Sequence, residues 1–149
     1  REEFLARFDG ENKETLVGWA VMGGIFGEGI DLTGDRLIGV VVVGVGLPGI
    51  CQERDLIRDH FKAKGEDGFA IAYQLPGMSK VLQTAGRVIR GKRDRGVVLL
   101  IDERFSQYRY RRLFPPEWQP QSVRSAQALE QNLRNFWLSD PQESTRHLD

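Results

Sequence analysis

Two unbroken aliphatic runs, Leu37–Val43 (LIGVVVV) and Val97–Ile101 (VVLLI), constrain this chain more than any other feature. Neither alternates polar with apolar residues, so neither suits a strand with one face in water. Continuous runs of this kind belong to strands covered on both faces, which is the habit of parallel sheets. The sequence between them has helical periodicity. Gln52–Lys64 places Leu56, Ile57 and Phe61 on one side, and a helix from Lys80 to about Arg90, capped by Ser79, does the same with Val81, Leu82, Ala85, Val88 and Ile89. Parallel strands need such crossovers, so the pattern predicts an α/β domain.

The rest of the chain fits around this frame. Arg1–Phe8 reads as helical, with Phe4, Leu5 and Phe8 on one face, and Leu16–Met22 as a third buried strand. Phe69–Leu75 fits helix or strand. FPPEWQP breaks the chain, Val123–Leu138 reads as an amphipathic helix, and a flexible tail is expected after Asp140. GGIFGEGIDLTGD carries five glycines and is expected to be a shaped loop. Three strands are few for a whole domain of this class, and the first residues read as the middle of a helix. The expectation is therefore a piece of something longer.

Composition excludes several function classes. Cys51 is the single cysteine, so no internal disulfide or Cys-rich metal site is expected. His60 and His147 stand apart without ligand neighbours, so no metal site is expected. No apolar run approaches a membrane span. Formal net charge is zero, but it conceals an asymmetry. Acids outnumber Lys and Arg seven to three over Arg1–Asp31, whereas Arg87–Arg112 holds nine basic residues against three acidic ones. The second segment can face phosphates or serve as a solvated surface.

On the predicted helix, Gln83, Gly86, Arg87 and Arg90 recur at i, i+3, i+4 and i+7, forming one polar stripe. A solvated face is the plain reading. Against it, a glycine inside a helix costs about 1 kcal/mol relative to alanine, and two arginines one turn apart repel unless an anion lies between them. Arginine also offers a fixed fork of donors that fits phosphate oxygens. A separate candidate is VVVVGVGLPG, in which Gly44, Gly46 and Gly49 have the G-x-G-x-x-G spacing of a dinucleotide turn. Glu66 or Asp67 lies near the distance of the ribose-binding acid, but Pro48 hinders a helix starting within the turn.

The polar stripe belongs to a longer pattern. QTAGRVIR (Gln83–Arg90), followed by DRGVVLLIDERF (Asp94–Phe105), resembles motif VI and the next strand of superfamily 2 helicases, and is most similar to the XPD/DinG-like branch. GIFGEGIDL (Gly24–Leu32) resembles motif V of the same branch, in the right order. The resemblance covers roughly Phe4–Trp118 and is identified with bacterial DinG-like helicases.

This resemblance implies a RecA-like three-layer domain with a mostly parallel sheet over residues 1–120, an incomplete second motor domain, followed by a helix and tail over 121–149. It implies ATP with Mg, shared with a first RecA-like domain of the same protein that carries the phosphate loop. Arg90 would be the arginine finger, Arg87 its neighbour, and Gln83 would reach the phosphates or the attacking water. Glu28, Gly29 and Asp31 would lie on the nucleotide-sensing loop, with Gly86 allowing close approach. Single-stranded DNA, or a duplex with a single-stranded tail, would be the partner, with 5′ to 3′ movement. The family's iron–sulfur cluster belongs to the first domain, so none is expected here, and neither is a membrane partner. A cytoplasmic, bacterial protein acting at the nucleoid is implied. The chain alone is expected to hydrolyse no ATP, since it has no G-x-x-x-x-G-K-[ST].

A last motif is left open. Arg104, Arg109, Arg111 and Arg112 interleave with Phe105, Tyr108 and Tyr110. They can form a surface for single-stranded nucleic acid, or a helix that turns its aromatics inward and lets its arginines reach water.

Overall fold

The computed structural model describes residues 2–8, 11, 14–24, 32, 34–89 and 94–139. The chain divides into two compact units, Arg1–Phe114 and Pro115–Asp149. Among the described residues, no helix is long and apolar enough to cross a membrane.

The first unit is built on strands β1 (Gly39–Val43) and β2 (Val97–Ile101). They pair in parallel, Gly39 opposite Val97 through Val43 opposite Ile101. The α/β class and the parallel pairing follow the two aliphatic runs, as expected of a RecA-like domain. Coverage does not. One face of β1 carries Val42, buried, and Val40, half-buried, whereas Val41 and Val43 are 60% and 69% exposed. Strand β1 is therefore covered on one face only among the described residues, whereas Val97 and Leu99, on the Val41 face of β2, are half-buried.

Among the described residues, three α-helices precede β2. Helix α1 spans Glu2–Ala6. Helix α2 (Gln52–Ala63) is followed by a π-helical turn, Ala70–Gln74, which continues without a break into α3 (Leu75–Ala85). Asp67 starts that turn, its carboxylate accepting from the Ala70 N–H at 2.9 Å. The wide register closes where the Leu75 N–H donates to the Ala70 carbonyl. After β2 come a 3₁₀ turn (Glu103–Ser106) and a single helical turn, α4 (Tyr108–Arg111). The core joins Val42 and Val45 to Met78 and Val81 of α3 and to Phe105 and Tyr110.

Three expected elements differ. Leu16–Met22 forms no strand: among the described residues it has no ladder partner, and Val17, Trp19 and Val21 face water. Helix α2 turns Leu56 and Ile57 outward, at 65% and 42% exposure. It is held by polar groups instead. The Tyr73 hydroxyl donates to the Asp55 carboxylate at 2.7 Å, and Arg54 donates to the Ala72 carbonyl at 2.7 Å. The third helix starts at Leu75 rather than Lys80. Pro76 lies just past the π-helical turn, inside the continuous helical run, and the Ala72 carbonyl that its missing N–H would have served accepts from Arg54 instead; Ser79 lies inside α3.

The second unit holds α5 (Ala126–Leu138). Its N-terminus is fixed by the Ser125 hydroxyl, which accepts from the Ala128 N–H at 3.2 Å. Glu130 and Arg134 form an i, i+4 ion pair at 2.8 Å on its surface.

Candidate functional site

The polar stripe sits where α3 ends. Val81, Ala85 and Val88 are buried against the core side, and Gln83 and Gly86 are exposed opposite them. The stripe is shorter than a continuous helix would make it. The Gly86 N–H donates to Leu82 at 2.8 Å, but Arg87 and Val88 bond three residues back, to Thr84 at 3.3 Å and Ala85 at 3.1 Å. Gly86 is therefore the cap of the helix rather than an interior glycine, with ordinary right-handed backbone angles. The expected energetic penalty does not apply there. Arg87 is half-buried in the tightened turn, and Ile89, expected inward, is 48% exposed.

The structure thus brings Gln83, Gly86 and Arg87 together at one helix terminus. Arg90, Glu28, Gly29 and Asp31 lie outside the described residues. Leu32, the last residue of the motif V stretch, is described and is buried at 3% exposure.

The glycine turn after β1 has a different job from the one its spacing suggests. Gly44 (φ 87°) and Gly46 (φ 63°) take left-handed backbone angles, which favour glycine. A Cβ on Gly46 would lie 2.9 Å from the Gly77 carbonyl oxygen, and one on Gly77 would lie 2.8 Å from the Val45 carbonyl oxygen. The two glycines let the loop and α3 touch backbone to backbone. Helix α2 begins at Gln52, beyond the glycine spacing, whereas a dinucleotide turn opens its helix within it. Gly46 is committed to packing against the stripe-bearing helix.

A side-chain tie holds the other end of that helix. Gln74, 2% exposed, donates through Nε2 to the Arg109 carbonyl at 2.6 Å, and its Oε1 accepts from Arg109 Nη2 at 3.0 Å. The Arg109 guanidinium also lies over the Phe69 ring, 5.5 Å from its centroid. No local sequence signal marks this tie, because its partners are 35 residues apart and Gln74 belongs to a segment that fits helix or strand.

The carboxyl end of β2 is organised by Asp102. Its carboxylate accepts from the Arg104 N–H at 2.9 Å and from the Arg104 guanidinium at 2.7 Å. That hydrogen bonding holds the Asp102 carboxyl below the usual aspartate range and raises Arg104 above its ordinary value. The Tyr73 phenol is pushed above its ordinary value by its hydrogen bond to Asp55.

The described part of this site combines a capped helix end, exposed polar groups and one half-buried guanidinium. This is the carboxyl end of α3, whose negative dipole a guanidinium complements, and Arg87 can pair there with a phosphate oxygen through its charged fork. Comparison with known proteins supports a helicase family at the level of the C-terminal domain. The helicase C-terminal domain family matches residues 1–121. The chain is similar to a probable ATP-dependent helicase of Methanocaldococcus jannaschii, 32% identical over 107 residues. That match covers 66% of this chain and 16% of the relative, so the chain spans a small part of that protein's length. No solved structure matches it. With most of its length matched and its parallel α/β core in place, the chain belongs to the helicase C-terminal domain family.

Proposed function

We propose that this chain is the second motor half of an ATP-dependent DNA helicase of the XPD/DinG-like branch, moving 5′ to 3′. In this reading ATP and Mg bind between it and a first RecA-like domain of the same protein. Gln83, Arg87 and Arg90 face the phosphates, and Glu28, Gly29 and Asp31 couple the nucleotide to the DNA. Gly86 keeps the helix end open to close approach. The observation that carries the reading is the exposure of Gln83 and Gly86 beside Arg87 at one helix end, within the segment matched by the family.

The chemistry follows from charge. In phosphoryl transfer, negative charge spreads over the transferring oxygens, and a positioned guanidinium stabilises it. Arg90 supplies that charge as the finger, and Arg87 holds the neighbouring phosphate. Gln83 offers an amide to orient a phosphate or the attacking water. In this reading residues 1–120 are the motor part and 121–149 an appended segment; the tail expected after Asp140 lies outside the described residues.

The test compares the intact protein with the chain alone. The intact protein should show ATP turnover stimulated by single-stranded DNA, and the purified chain should show none. Turnover by the chain alone, or an intact protein indifferent to both ATP and DNA, contradicts the proposal.

A further inference from the structure

The motor reading leaves Arg104–Arg112 unused, and the structure sorts this stretch into two sets. Phe105 and Tyr110 are buried in the core at 7% and 3% exposure. Arg104 is bound to Asp102, and Arg109 to Gln74. The remaining members, Tyr108, Arg111 and Arg112, are all exposed, with Tyr108 at 80%. Their spacing of i, i+3 and i+4 puts them on one side of the α4 turn. We propose that these three residues form a contact for single-stranded nucleic acid. A base stacks on the Tyr108 ring, and Arg111 and Arg112 hold the adjoining phosphates.

Four observations carry this inference. Neighbouring exposed guanidiniums repel one another, and phosphates relieve that repulsion. An exposed ring beside them is what a base needs, whereas an acidic peptide would satisfy the arginines and offer the ring nothing. The platform is also fixed in advance. Its underside is the buried Tyr110 ring, and the Arg109–Gln74 tie fastens it to the segment leading into α3. Finally, α4 follows the carboxyl end of β2, the side of a parallel sheet where ligands bind.

The contact deepens the DNA side of the helicase proposal and rests on it. Its test is photo-crosslinking of the intact protein to an oligothymidine carrying 5-iododeoxyuridine, with binding followed by fluorescence anisotropy. The adduct should map to Tyr108. Tyr108→Ala should lose it and weaken binding about tenfold, the usual scale for one stacked base, while Tyr108→Trp should retain both. Arg111→Ala and Arg112→Ala should each weaken binding to every sequence and lower the salt slope by about one. All three side chains are exposed, so the variants should fold, as circular dichroism would verify.

Wild-type affinity in Tyr108→Ala with adducts mapping elsewhere overturns the contact and leaves the helicase proposal standing. A loss confined to acidic polypeptides, with oligonucleotide binding unchanged, also overturns it. If the intact wild-type protein binds no single-stranded DNA, the contact and the DNA side of the helicase proposal fall together.

Discussion

Helices α2 and α3 look alike in sequence and behave differently in the fold. Both show apolar residues at helical spacing. Helix α3 buries Met78, Val81 and Ala85 to 2% exposure or less, whereas α2 buries nothing and leaves Leu56 and Ile57 in water. The difference lies in what each meets. Helix α3 lies against β1, with Gly77 touching the loop after it, and α2 meets the π-helical turn through Asp55 and Arg54. Periodicity therefore identifies a face that can be buried, and the neighbouring chain decides whether it is.

The largest test of this contrast is core truncation. Met78→Ala should cost about 2–5 kcal/mol in urea unfolding, whereas Leu56→Ala should stay within about 0.5 kcal/mol. Equal losses would break the comparison. Next comes the backbone contact of α3. Gly77→Ala forces a Cβ onto the Val45 carbonyl and should destabilise by about 1–3 kcal/mol. Gly49→Ala, with open space around it, should change stability by less than about 0.5 kcal/mol.

The smallest effect concerns the polar hold on α2. The raised Tyr73 pKa belongs to a group whose protonated form is stabilised by folding. Its contribution is complete below the unfolded phenol value of about 10 and is lost as pH rises through the higher folded value. Spectrophotometric titration should place Tyr73 above the ordinary phenol value, and Asp55→Asn should move it back toward that value. A Tyr73 titration unchanged by Asp55→Asn would show that the hydrogen bond does not hold α2 in solution.

The same contrast explains what the sequence could reveal. β2 occupies its expected residues, and β1 lies within its expected range, because branched aliphatic runs leave few alternatives. The start of α3 was not legible. Pro76 and Gly77 look like breakers, but Pro76 follows a π-helical turn and the carbonyl it leaves unpaired, Ala72, is taken by Arg54, while Gly77 is required by the approach of Val45 and Gly46. The one-sided cover of β1 was hidden for the same reason as the exposed face of α2: a residue run does not name its neighbours. At the candidate site, spacing makes Gln83, Gly86 and Arg87 legible as neighbours, but not the end of their helix at Ala85. The Gln74–Arg109 tie and the sorting of Arg104–Arg112 needed the fold, since spacing alone does not tell Tyr108 from Tyr110.

The most direct measurement of the central claim is ATP turnover and ATP affinity in the intact protein carrying Arg90→Ala. A guanidinium that acts on the transition state should, when removed, lower turnover by about 10³-fold or more with little change in ATP affinity. Turnover that survives the substitution would contradict the assignment of this chain as the half that supplies the arginine finger.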